Sequence, residues 1–574
     1  MNKWWKERVV YQIYPRSFQD SPGINGSPGD GFGDIPGIIS RLDEIKDLGA
    51  GIIWLSPMYP SPDADNGYDI SDYRAIDPRF GTMEDMDALI TEAARRDIRI
   101  IMDLVINHTS DEHEWFQKSR DKNSPYRDYY IWRPAKPDGS LPNNWTSIFM
   151  GPAWEFDGQS GEYYLHLFHK KQPDLNYRNP KVVEEVKDIL RFWLDKGVAG
   201  FRCDVINLIY KTTLDDGKKT IAVRGFEKYK SQEGNHAVLR ELRRDVLDKY
   251  DCFTVGETAM VTLEEAGDFC NEARKELDML FYFEHLEVDR RFARYIPKKF
   301  HAEKLLAVLD KWQNGLEWNA VYLENHDQPR IVSHYGDEGE YWERSAKLLA
   351  TLEFTLRGTP FVYQGQEIGM TNFDFTGFDQ LDDVETLNLN ALMKKIHIPA
   401  SLRWKWLRES SRDNARTPMQ WSAEPGAGFT AGKPWLGING NYKRINYAAQ
   451  KDDPGSVLNY YKKLIALRAG SEPLKYGSFK PRYAGSGASD GLIVYERELA
   501  GEVYTAALNF SRKPVKRRAG MPAALKDLLQ GEGSGKLVLT NAGEEGGGKT
   551  GAILPWEALI LFERLGNADQ DQRP

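Results

Sequence analysis

The chain has 574 residues, more than one simple domain requires, so we expect a large core domain with one or two smaller ones. Hydrophobic residues make up 41% and charged residues 28%, a composition typical of globular proteins. The formal net charge of −9 argues against nucleic acid or an anionic membrane as the main partner and suits a neutral substrate.

The cysteines and the N-terminal stretch indicate a reducing compartment. Cys203, Cys252 and Cys270 form no short C-x-x-C pair, which predicts neither a disulfide framework nor a zinc site. The first residues lack the apolar run of a signal peptide, and no stretch approaches the roughly 20 apolar residues of a membrane span. We therefore predict a cytoplasmic protein with no membrane partner.

Short apolar runs alternate with helical patterns along the first 470 or so residues. Helices are predicted at 35–49, at 83–96 and from 182 to 197. The apolar runs predict buried parallel strands at 9–15, 51–57, 98–108, 199–206, 252–257, 320–326 and 359–365. With about eight such units and no early G-x-G-x-x-G loop, the sequence predicts an α/β fold in the form of a (β/α)₈ TIM barrel.

Two regions interrupt this alternation. Residues 109–175 are rich in Trp, Tyr, Pro and Asn, and we predict that they form a subdomain inserted after the third strand. From 476 to 574 the pattern is strand-like with Gly-rich turns, which predicts a C-terminal antiparallel β-sandwich. The barrel would then comprise 1–108 and 176–475.

Polar and acidic residues follow at least four of the predicted strands. In a barrel, these strand ends converge on one face, where catalytic groups lie. A single aspartate is usually a helix cap or a surface charge, but buried carboxylates are costly unless they are paired or used. Several acids at strand ends in one chain therefore favour a catalytic site formed by Asp103, Asn107, His108, Arg202, Asp204, Glu257, His326 and Asp327.

Four of these strand ends resemble, in order and spacing, the signature segments of the α-amylase superfamily, glycoside hydrolase family 13: DLVINH (103–108), GFRCDVIN (200–207), VGE (255–257) and ENHDQPR (324–330). A fifth segment, QPDLN at 172–176, is similar to one typical of the oligo-1,6-glucosidase and α-glucosidase branch. The likeness extends through NGYDISDY (66–73), YQGQEIGMTN (363–372) and DNARTPMQW (413–421).

The resemblance implies a retaining mechanism with Asp204 as nucleophile, Glu257 as acid/base and Asp327 as stabiliser of the oxocarbenium-like transition state. Such enzymes place the first two carboxyl groups about 5–5.5 Å apart. Glu257 must be protonated at working pH, which requires a less polar pocket or the nearby charge of Asp204. Arg202 precedes the nucleophile by two residues, so it can lie on the same strand face and hold Asp204 ionised.

The same resemblance implies the glucose-binding residues. An Asp65–Arg416 pair would close one end of the pocket and enforce cleavage from the chain end, so we expect exo action. The alternative for Phe149 and Phe168 is plain core packing, and the alternative for His108 and His326 is a structural role with their hydrogen bonds satisfied. The full predicted set of substrate-binding residues is Asp65, Tyr68, His108, Phe149, Phe168, Arg202, Val205, His326 and Arg416.

The residue after the nucleophile predicts the linkage. Val205 stands where, in this branch, valine accompanies α-1,6 cleavage and smaller or polar residues accompany α-1,4 cleavage. The effect would be steric, and one such contact is worth only about 1–3 kcal/mol. The alternative is that valine is simply a strand residue. We expect a preference for isomalto-oligosaccharides.

A loop after the first strand resembles the compact cation loop of the family but is longer. In DSPGINGSPGDGFGD (20–34), Pro28 falls near the usual asparagine position. A structural Ca²⁺ could still be held by the side chains of Asp20, Asp30 and Asp34 and the carbonyl of Phe32. A solvated turn is the equal alternative. Hydrolysis by two carboxylates needs no cofactor, so the ion would not be catalytic.

Three other functions remain open. Sucrose isomerases of the same branch carry a segment similar to RLDRD, where this chain has EVDRR at 287–291, with Arg290 in common. A trehalose-6-phosphate hydrolase would need a basic pocket that the sequence does not place. A non-catalytic, transporter-associated subunit usually lacks the acids and carries a membrane span. We predict a monomeric, retaining, exo-acting α-glucosidase acting on small oligosaccharides.

Overall fold

The structure is a computed structural model that describes residues 3–23, 29–220, 223–291, 295–485, 491–531 and 535–565. The end of the predicted C-terminal domain, 566–574, lies outside the described residues, as does Pro28. Within the described ranges, no helix is long and apolar enough to cross a membrane.

Eight parallel strands form the central sheet: β1 (Val10–Ile13), β2 (Ile52–Leu55), β3 (Arg99–Leu104), β4 (Gly200–Cys203), β5 (Phe253–Glu257), β6 (Met279–Phe281), β7 (Ala320–Val321) and β8 (Thr359–Tyr363). Their hydrogen-bonded order is β7-β8-β1-β2-β3-β4-β5-β6. Val10 of β1 stands opposite both Ile52 of β2 and Phe361 of β8, so the last strand along the chain lies beside the first. This order confirms the predicted barrel.

Each of the seven predicted strand runs contains an observed strand. The remaining strand, β6, was not predicted. The strand has only three residues, Met279, Leu280 and Phe281, all of them buried. A run this short is hard to distinguish from a buried turn by sequence pattern alone.

Helices follow the strands on the outside of the barrel. The predicted helix at 35–49 is two helices, Ile35–Ser40 and Leu42–Leu48, because Arg41 leaves helical geometry at φ −114° and ψ 9°. The other long barrel helices are Met83–Arg95, Pro180–Asp195, Glu233–Asp245, Leu263–Cys270, Ala302–Gly315, Trp342–Thr355 and Val457–Ala469. Shorter ones are Glu114–Ser119, Ile331–Tyr335, Asp413–Arg416, Tyr447–Gln450 and Glu472–Tyr476, and a helical pair, Val384–Lys395 and Ala400–Ser410, lies in the connection after β8.

The segment between β3 and β4 carries its own antiparallel sheet. Its strands are Trp132–Arg133, Trp154–Asp157 and Glu162–Leu165, with the last in the middle. An isolated bridge between His108 and Asp174 ties the end of this segment to the end of β3. The insertion therefore lies at the carboxyl ends of the strands, although its proposed extent, 109–175, stays a prediction, as do the other domain boundaries.

The C-terminal part is an antiparallel sheet of five strands in the order Ser478–Ala484, Leu492–Leu499, Glu502–Asn509, Ala558–Arg564 and Lys536–Thr540. A two-stranded pair, Val515–Lys516 with Ala552–Ile553, and the helix Ala523–Leu528 contribute to the apolar cluster on one of its faces. The predicted sandwich thus has a full first layer and a reduced second one.

One buried carboxyl in the barrel makes the stability of the fold depend on pH. Glu367 follows β8; Tyr11 donates a hydrogen bond to its Oε1 at 2.8 Å, and its buried Oε2 has no partner among the described residues. Burial raises the pKa of Glu367 to about 7, above its ordinary value of 4.5. Glu367 therefore costs the fold no stability at pH values below its ordinary pKa of 4.5. As the pH rises from 4.5 to about 7, its burial lowers the free energy of unfolding progressively, and above about pH 7 this loss is constant.

We expect Glu367→Gln to raise the melting temperature relative to the wild type more at pH 8 than at pH 5, because the amide cannot ionise. Thermal unfolding of both proteins at the two pH values measures the difference. A gain at pH 5 as large as that at pH 8 would contradict the assignment of the effect to ionisation of this carboxyl.

Candidate active site

The carboxyl ends of β3, β4, β5 and β7 bring the predicted acids to one end of the barrel. There they border a cavity of about 410 Å³. Nine of the predicted residues line it: Asp65, Tyr68, His108, Phe149, Phe168, Asp204, Val205, Glu257 and Asp327. Phe149 and Phe168 come from the insertion between β3 and β4, and their rings meet edge to face at 5.5 Å. The insertion therefore closes the cavity from above.

Arg202 lies beneath the cavity and binds three carboxyl groups. Its Nη1 donates to Asp103 Oδ1 at 2.5 Å and to Asp204 Oδ1 at 2.6 Å, and its Nη2 donates to Glu257 Oε2 at 2.7 Å. The sequence predicted the contact with Asp204 but not the other two. One guanidinium thus holds the predicted nucleophile and the predicted acid/base side by side.

The electrostatics of this group are dominated by burial. Burial raises the pKa of Asp204, the carboxylates of Glu257 and Asp103 add to the rise, and the Arg202 guanidinium opposes it. Asp103 is fully buried, which raises its pKa to about 6 although Arg202 and the Trp54 indole N–H favour its ionised form. Three acids share one positive charge, so the cluster favours keeping a proton on one of them.

The hydrogen bonds of Glu257 distinguish its two oxygens. Arg202 Nη2 and the backbone N–H of Val205, at 3.2 Å, both donate to Oε2. Val205 can direct its N–H there because its backbone is left-handed, at φ 36°. A carboxyl oxygen that accepts two hydrogen bonds is a poor place for a proton, so Oε1 is the oxygen suited to carry it.

The two predicted histidines have different surroundings. His108 lines the cavity, whereas His326 is fully buried behind Tyr68 and Asp327. Burial lowers the pKa of His326 to about 3, so its ring is neutral. The Gln12 amide lies 2.8 Å from Nδ1, and Nε2 lies 2.5 Å from the Tyr68 hydroxyl and 3.3 Å from Asp327 Oδ2. His326 therefore supports two cavity residues and is not itself among the residues that line the cavity; its predicted hydrogen bond to the sugar stays a prediction.

The predicted Asp65–Arg416 pair is wrong, because a different arginine binds Asp65. Arg412 Nη2 donates to Asp65 Oδ1 at 3.1 Å, and Gln172 Nε2 donates to the other oxygen at 3.1 Å. Arg416 is one helical turn further on, fully buried, and donates to Asp327 Oδ1 at 2.8 Å. Each member of the predicted pair thus has a different partner at the closed end of the cavity: Asp65 binds Arg412, and Arg416 binds Asp327.

Several residues at the site were not predicted from the sequence. Arg412 directly precedes the motif DNARTPMQW, and Gln172 is the first residue of QPDLN, so both had a sequence signal nearby. Asp383 accepts a hydrogen bond from Arg412 Nε at 2.7 Å and fixes its orientation. Glu385 and Met260 also line the cavity. These last three lie outside every recognised motif.

The described part of the loop at 20–34 does not confirm the predicted Ca²⁺ site. Asp20 accepts hydrogen bonds from the Gly31 N–H and the Thr430 hydroxyl, and Asp34 caps the helix that begins at Ile35. Asp30 Oδ1 accepts the Phe32 N–H, and the Phe32 ring stacks on Trp435. The carboxylates serve the turn itself, and the described residues contain no group of three acids, histidines or cysteines that could hold a metal.

Comparison with known proteins agrees with this geometry. A sequence profile of the α-amylase catalytic domain matches residues 12–477. An oligo-1,6-glucosidase of Parageobacillus thermoglucosidasius is 49% identical over 89% of this chain and 91% of its own length. Among solved structures, the trehalose-6-phosphate hydrolase of Bacillus licheniformis covers 98% of this chain and 100% of its own at a TM-score of 0.89 and 41% identity.

A further solved structure is that of a mutant of the isomaltulose synthase of Erwinia rhapontici NX5 in complex with sucrose. It matches 97% of this chain and 99% of its own at a TM-score of 0.89 and 42% identity. The matches therefore span the barrel, the insertion and the C-terminal sheet, and the family profile covers most of the chain. The chain belongs to the α-amylase family and is a glycoside hydrolase.

Proposed function

We propose that the protein is a retaining, exo-acting α-glucosidase that releases glucose from the non-reducing end of short α-glucosides and prefers α-1,6 links. One observation carries the proposal: the cavity that holds Asp204 and Glu257 ends at Asp65, whose carboxylate is paired with Arg412 at 3.1 Å. The many oligo-1,6-glucosidases among the relatives support the linkage.

In the proposed mechanism, the Asp204 carboxylate attacks the anomeric carbon while the proton on Glu257 Oε1 passes to the leaving oxygen. The bond between the anomeric carbon and that oxygen breaks, which gives a covalent glucosyl–enzyme. A water molecule then gives a proton to Glu257 and attacks the same carbon, the bond from that carbon to Asp204 breaks, and glucose leaves with its original configuration while Asp204 returns to a carboxylate. Arg202 keeps Asp204 in place throughout, since it binds an oxygen of each acid.

Asp327 is proposed to bind sugar hydroxyls and stabilise the positive charge that develops on the ring. Arg416 donates to its Oδ1 at 2.8 Å and Arg412 lies at 3.4 Å from the same atom. The other oxygen, Oδ2, lies 3.3 Å from His326 Nε2, and Asp327 lines the cavity. With the aromatic walls of Phe149 and Phe168, this end of the cavity admits one terminal glucose, which favours exo cleavage.

The charge of the cavity argues against a phosphorylated substrate. Its wall contains the acids Asp65, Asp204, Glu257, Glu284, Glu287, Asp327 and Glu385, and among the described lining Arg412 is the single arginine or lysine. Arg412 lies at the closed end and is already paired with Asp65. A phosphate on the leaving sugar would face carboxylates, so trehalose 6-phosphate is disfavoured.

Arg290, the residue that this chain shares with the segment of the sucrose isomerases, gives no support to the isomerase alternative. Arg290 does not line the cavity; its Nε lies 3.0 Å from His334 Nε2 and 3.3 Å from Asp289. It supports the loop from behind. Together with Glu287 at the cavity wall, where the isomerase-like segment has arginine, this favours transfer of the glucosyl group to water.

Incubation with isomaltose, maltose, sucrose and trehalose 6-phosphate, followed by separation of the products, tests the proposal. We expect glucose from isomaltose at the highest kcat/KM. Isomaltulose formed from sucrose would favour the isomerase, and preferred cleavage of trehalose 6-phosphate would favour the phosphate-specific hydrolase. Retention at the anomeric carbon is checked by following the first-formed glucose anomer.

Val205 is proposed to set the linkage preference. Strand β4 ends at Cys203, and Val205 lies in the left-handed region with its side chain in the cavity wall. An α-1,4-linked sugar leaves the cleavage point at a different angle and would press on the branched side chain. An α-1,6 link has one more rotatable bond and can turn away.

We expect Val205→Thr to raise the ratio of kcat/KM for maltose to that for isomaltose by about 10-fold, because threonine keeps the shape but adds a hydroxyl that can bond the misplaced sugar. Initial rates on the two disaccharides give the ratio. If the wild type already prefers maltose, or if the ratio is the same in the variant, the specificity lies in the loops and not in Val205.

Two further predictions from the sequence are kept as proposals. The protein is proposed to act as a monomer, which size-exclusion chromatography with light scattering can measure. A cytoplasmic location is also proposed, in keeping with three cysteines that are free in the structure.

A further inference from the structure

The mouth of the cavity carries a strained and exposed methionine that the proposed mechanism does not use. Met260 follows the acid/base Glu257 by three residues and lines the cavity. The residue is 63% exposed, more than any other large hydrophobic residue in the described chain. A single exposed apolar residue is ordinary on a protein surface, so what distinguishes Met260 is its place in the cavity wall together with its backbone geometry.

The backbone at Met260 is held in an unfavourable conformation. Its φ of +48° is in the left-handed region, which residues other than glycine, asparagine and aspartate rarely adopt. Lys230 Nζ donates to the Met260 carbonyl at 3.1 Å and to Glu265 Oε2 at 2.8 Å. Glu265 is part of the capping box of the next helix, so the turn is fixed from two sides. Strain kept in place at a site is commonly functional.

The position of Met260 relative to the two acids indicates which part of the substrate it meets. Asp65 and the insertion line the glucose end of the cavity, whereas Thr258, Ala259, Met260 and Val261, which directly follow Glu257 in the chain, line its wall beside the acid/base, with Met260 exposed to solvent. Glu257 is proposed to protonate the leaving oxygen, so this wall faces the leaving group. Methionine adapts its shape to irregular apolar faces, and the C–H face of a sugar is one.

We propose that Met260 is a binding residue for the leaving group: its thioether forms an apolar platform for the sugar or aryl group on the far side of the scissile bond. The proposal rests on the proposed α-glucosidase function and adds the class of ligand that this wall accepts, namely neutral groups with a flat apolar face. Strain in the backbone is the cost of presenting the side chain at the mouth.

The test compares two substrates that differ only in the leaving group. Isomaltose has a glucose that can contact the platform, whereas α-glucosyl fluoride has a single atom. In Met260→Gly, we expect the ratio of kcat/KM for isomaltose to that for the fluoride to fall by about 10-fold. Met260→Leu is expected to restore most of the ratio, because leucine supplies a similar apolar surface.

A matched control separates the side chain from the backbone. Ala500, exposed in a turn of the C-terminal sheet, has a similar φ of +52°. Ala500→Gly relieves the same kind of strain far from the cavity, so its substrate ratio should equal that of the wild type. Both glycine variants should unfold at or above the wild-type melting temperature. An unchanged ratio in Met260→Gly, or an equal loss on both substrates with a lower melting temperature, overturns the proposal.

Oxidation offers a second test on the unmodified chain. Among the described methionines, Met260 is the exposed one. Hydrogen peroxide transfers one oxygen atom to the thioether sulfur and is reduced to water, which turns the apolar platform into a polar sulfoxide. We expect treated wild type to show sulfoxide at residue 260 by peptide mass spectrometry and a lowered substrate ratio, with Met260→Leu insensitive. Sulfoxide without a change in ratio, or no sulfoxide at 260, contradicts the platform.

The measurements distinguish a failure of the proposed α-glucosidase function from a failure of the proposal for Met260. If the wild type releases glucose from neither isomaltose nor the fluoride, the proposed function itself is wrong. If it cleaves both and the ratios of all variants agree, the function stands and Met260 has no part in binding the leaving group.

Discussion

Asp204→Asn is expected to lower kcat on isomaltose by about 10⁴-fold or more while the protein keeps its fold, because an amide cannot attack the anomeric carbon. Asparagine retains an oxygen that can accept the hydrogen bond from Arg202, which holds Asp204 at 2.6 Å in the wild type. Glucose release measures the loss, and an unchanged melting temperature shows that the site is intact. Turnover close to that of the wild type would make the nucleophile assignment wrong.

Glu257→Gln is the matched partner of that experiment. The variant cannot protonate the leaving oxygen, so its activity on isomaltose should fall by about 10²–10⁴-fold, the range of a general acid. Aryl glucosides with acidic phenols need no proton to depart and should recover most of the rate of the first step. Asp204→Asn should gain nothing from the same substrates. Equal behaviour of the two variants would contradict the division of roles.

Much of this site could be predicted because its acids belong to contiguous motifs at strand ends. The residues at the carboxyl end of a barrel strand lie at the face where the catalytic groups meet. Once β4 and β5 were predicted, the positions of Asp204 and Glu257 at this face followed. The barrel itself follows from the same repeated pattern. The break at Arg41 and the short strand β6 were not predicted, since each depends on packing that no local pattern records.

The pairing of arginines with acids could not be predicted from the sequence. Arg412 directly precedes the short helix Asp413–Arg416 and Arg416 ends it, so the two guanidinium groups start close together, near both Asp65 and Asp327. Asp383, which binds Arg412 Nε at 2.7 Å, decides the outcome, and it comes from a segment with no motif. Residues brought together from distant parts of the chain set the geometry of the closed end.

The same limit applies to Arg202. The sequence placed it on one strand with Asp204, but Asp103 comes from the neighbouring β3 and Glu257 from β5. Adjacent parallel strands in register carry these three side chains to one guanidinium: Asp103 is opposite Arg202, and Arg202 is opposite Val255, two residues before Glu257. A single cation between three carboxyl groups is therefore a property of the barrel and not of any one motif.

Replacing Arg202 with methionine should harm both stability and catalysis, and the two losses have different signatures. The side chain of Arg202 is 2% exposed, and its removal leaves Asp103 and Asp204 buried without their cation. Breaking a buried ion pair by removing one partner typically costs about 3–5 kcal/mol. We therefore expect a clearly lower melting temperature, together with a loss of kcat/KM of about 10³-fold, since both acids lose their orientation.

The pH profile separates the catalytic part of that loss from the structural part. Arg202 opposes the rise in the pKa of Asp204 that burial causes, so without it this pKa rises further. At a given pH fewer molecules then carry an ionised nucleophile, and the acidic limb of kcat/KM should move to higher pH.

Arg330→Met is the control, because Arg330 is equally buried and binds Glu324 at 2.9 Å away from the cavity lining. It should lower the melting temperature in a similar way without moving the limb. If the limb of Arg202→Met stays where the wild type has it, Arg202 only supports the fold, and the ionisation of Asp204 must depend on other groups at the site.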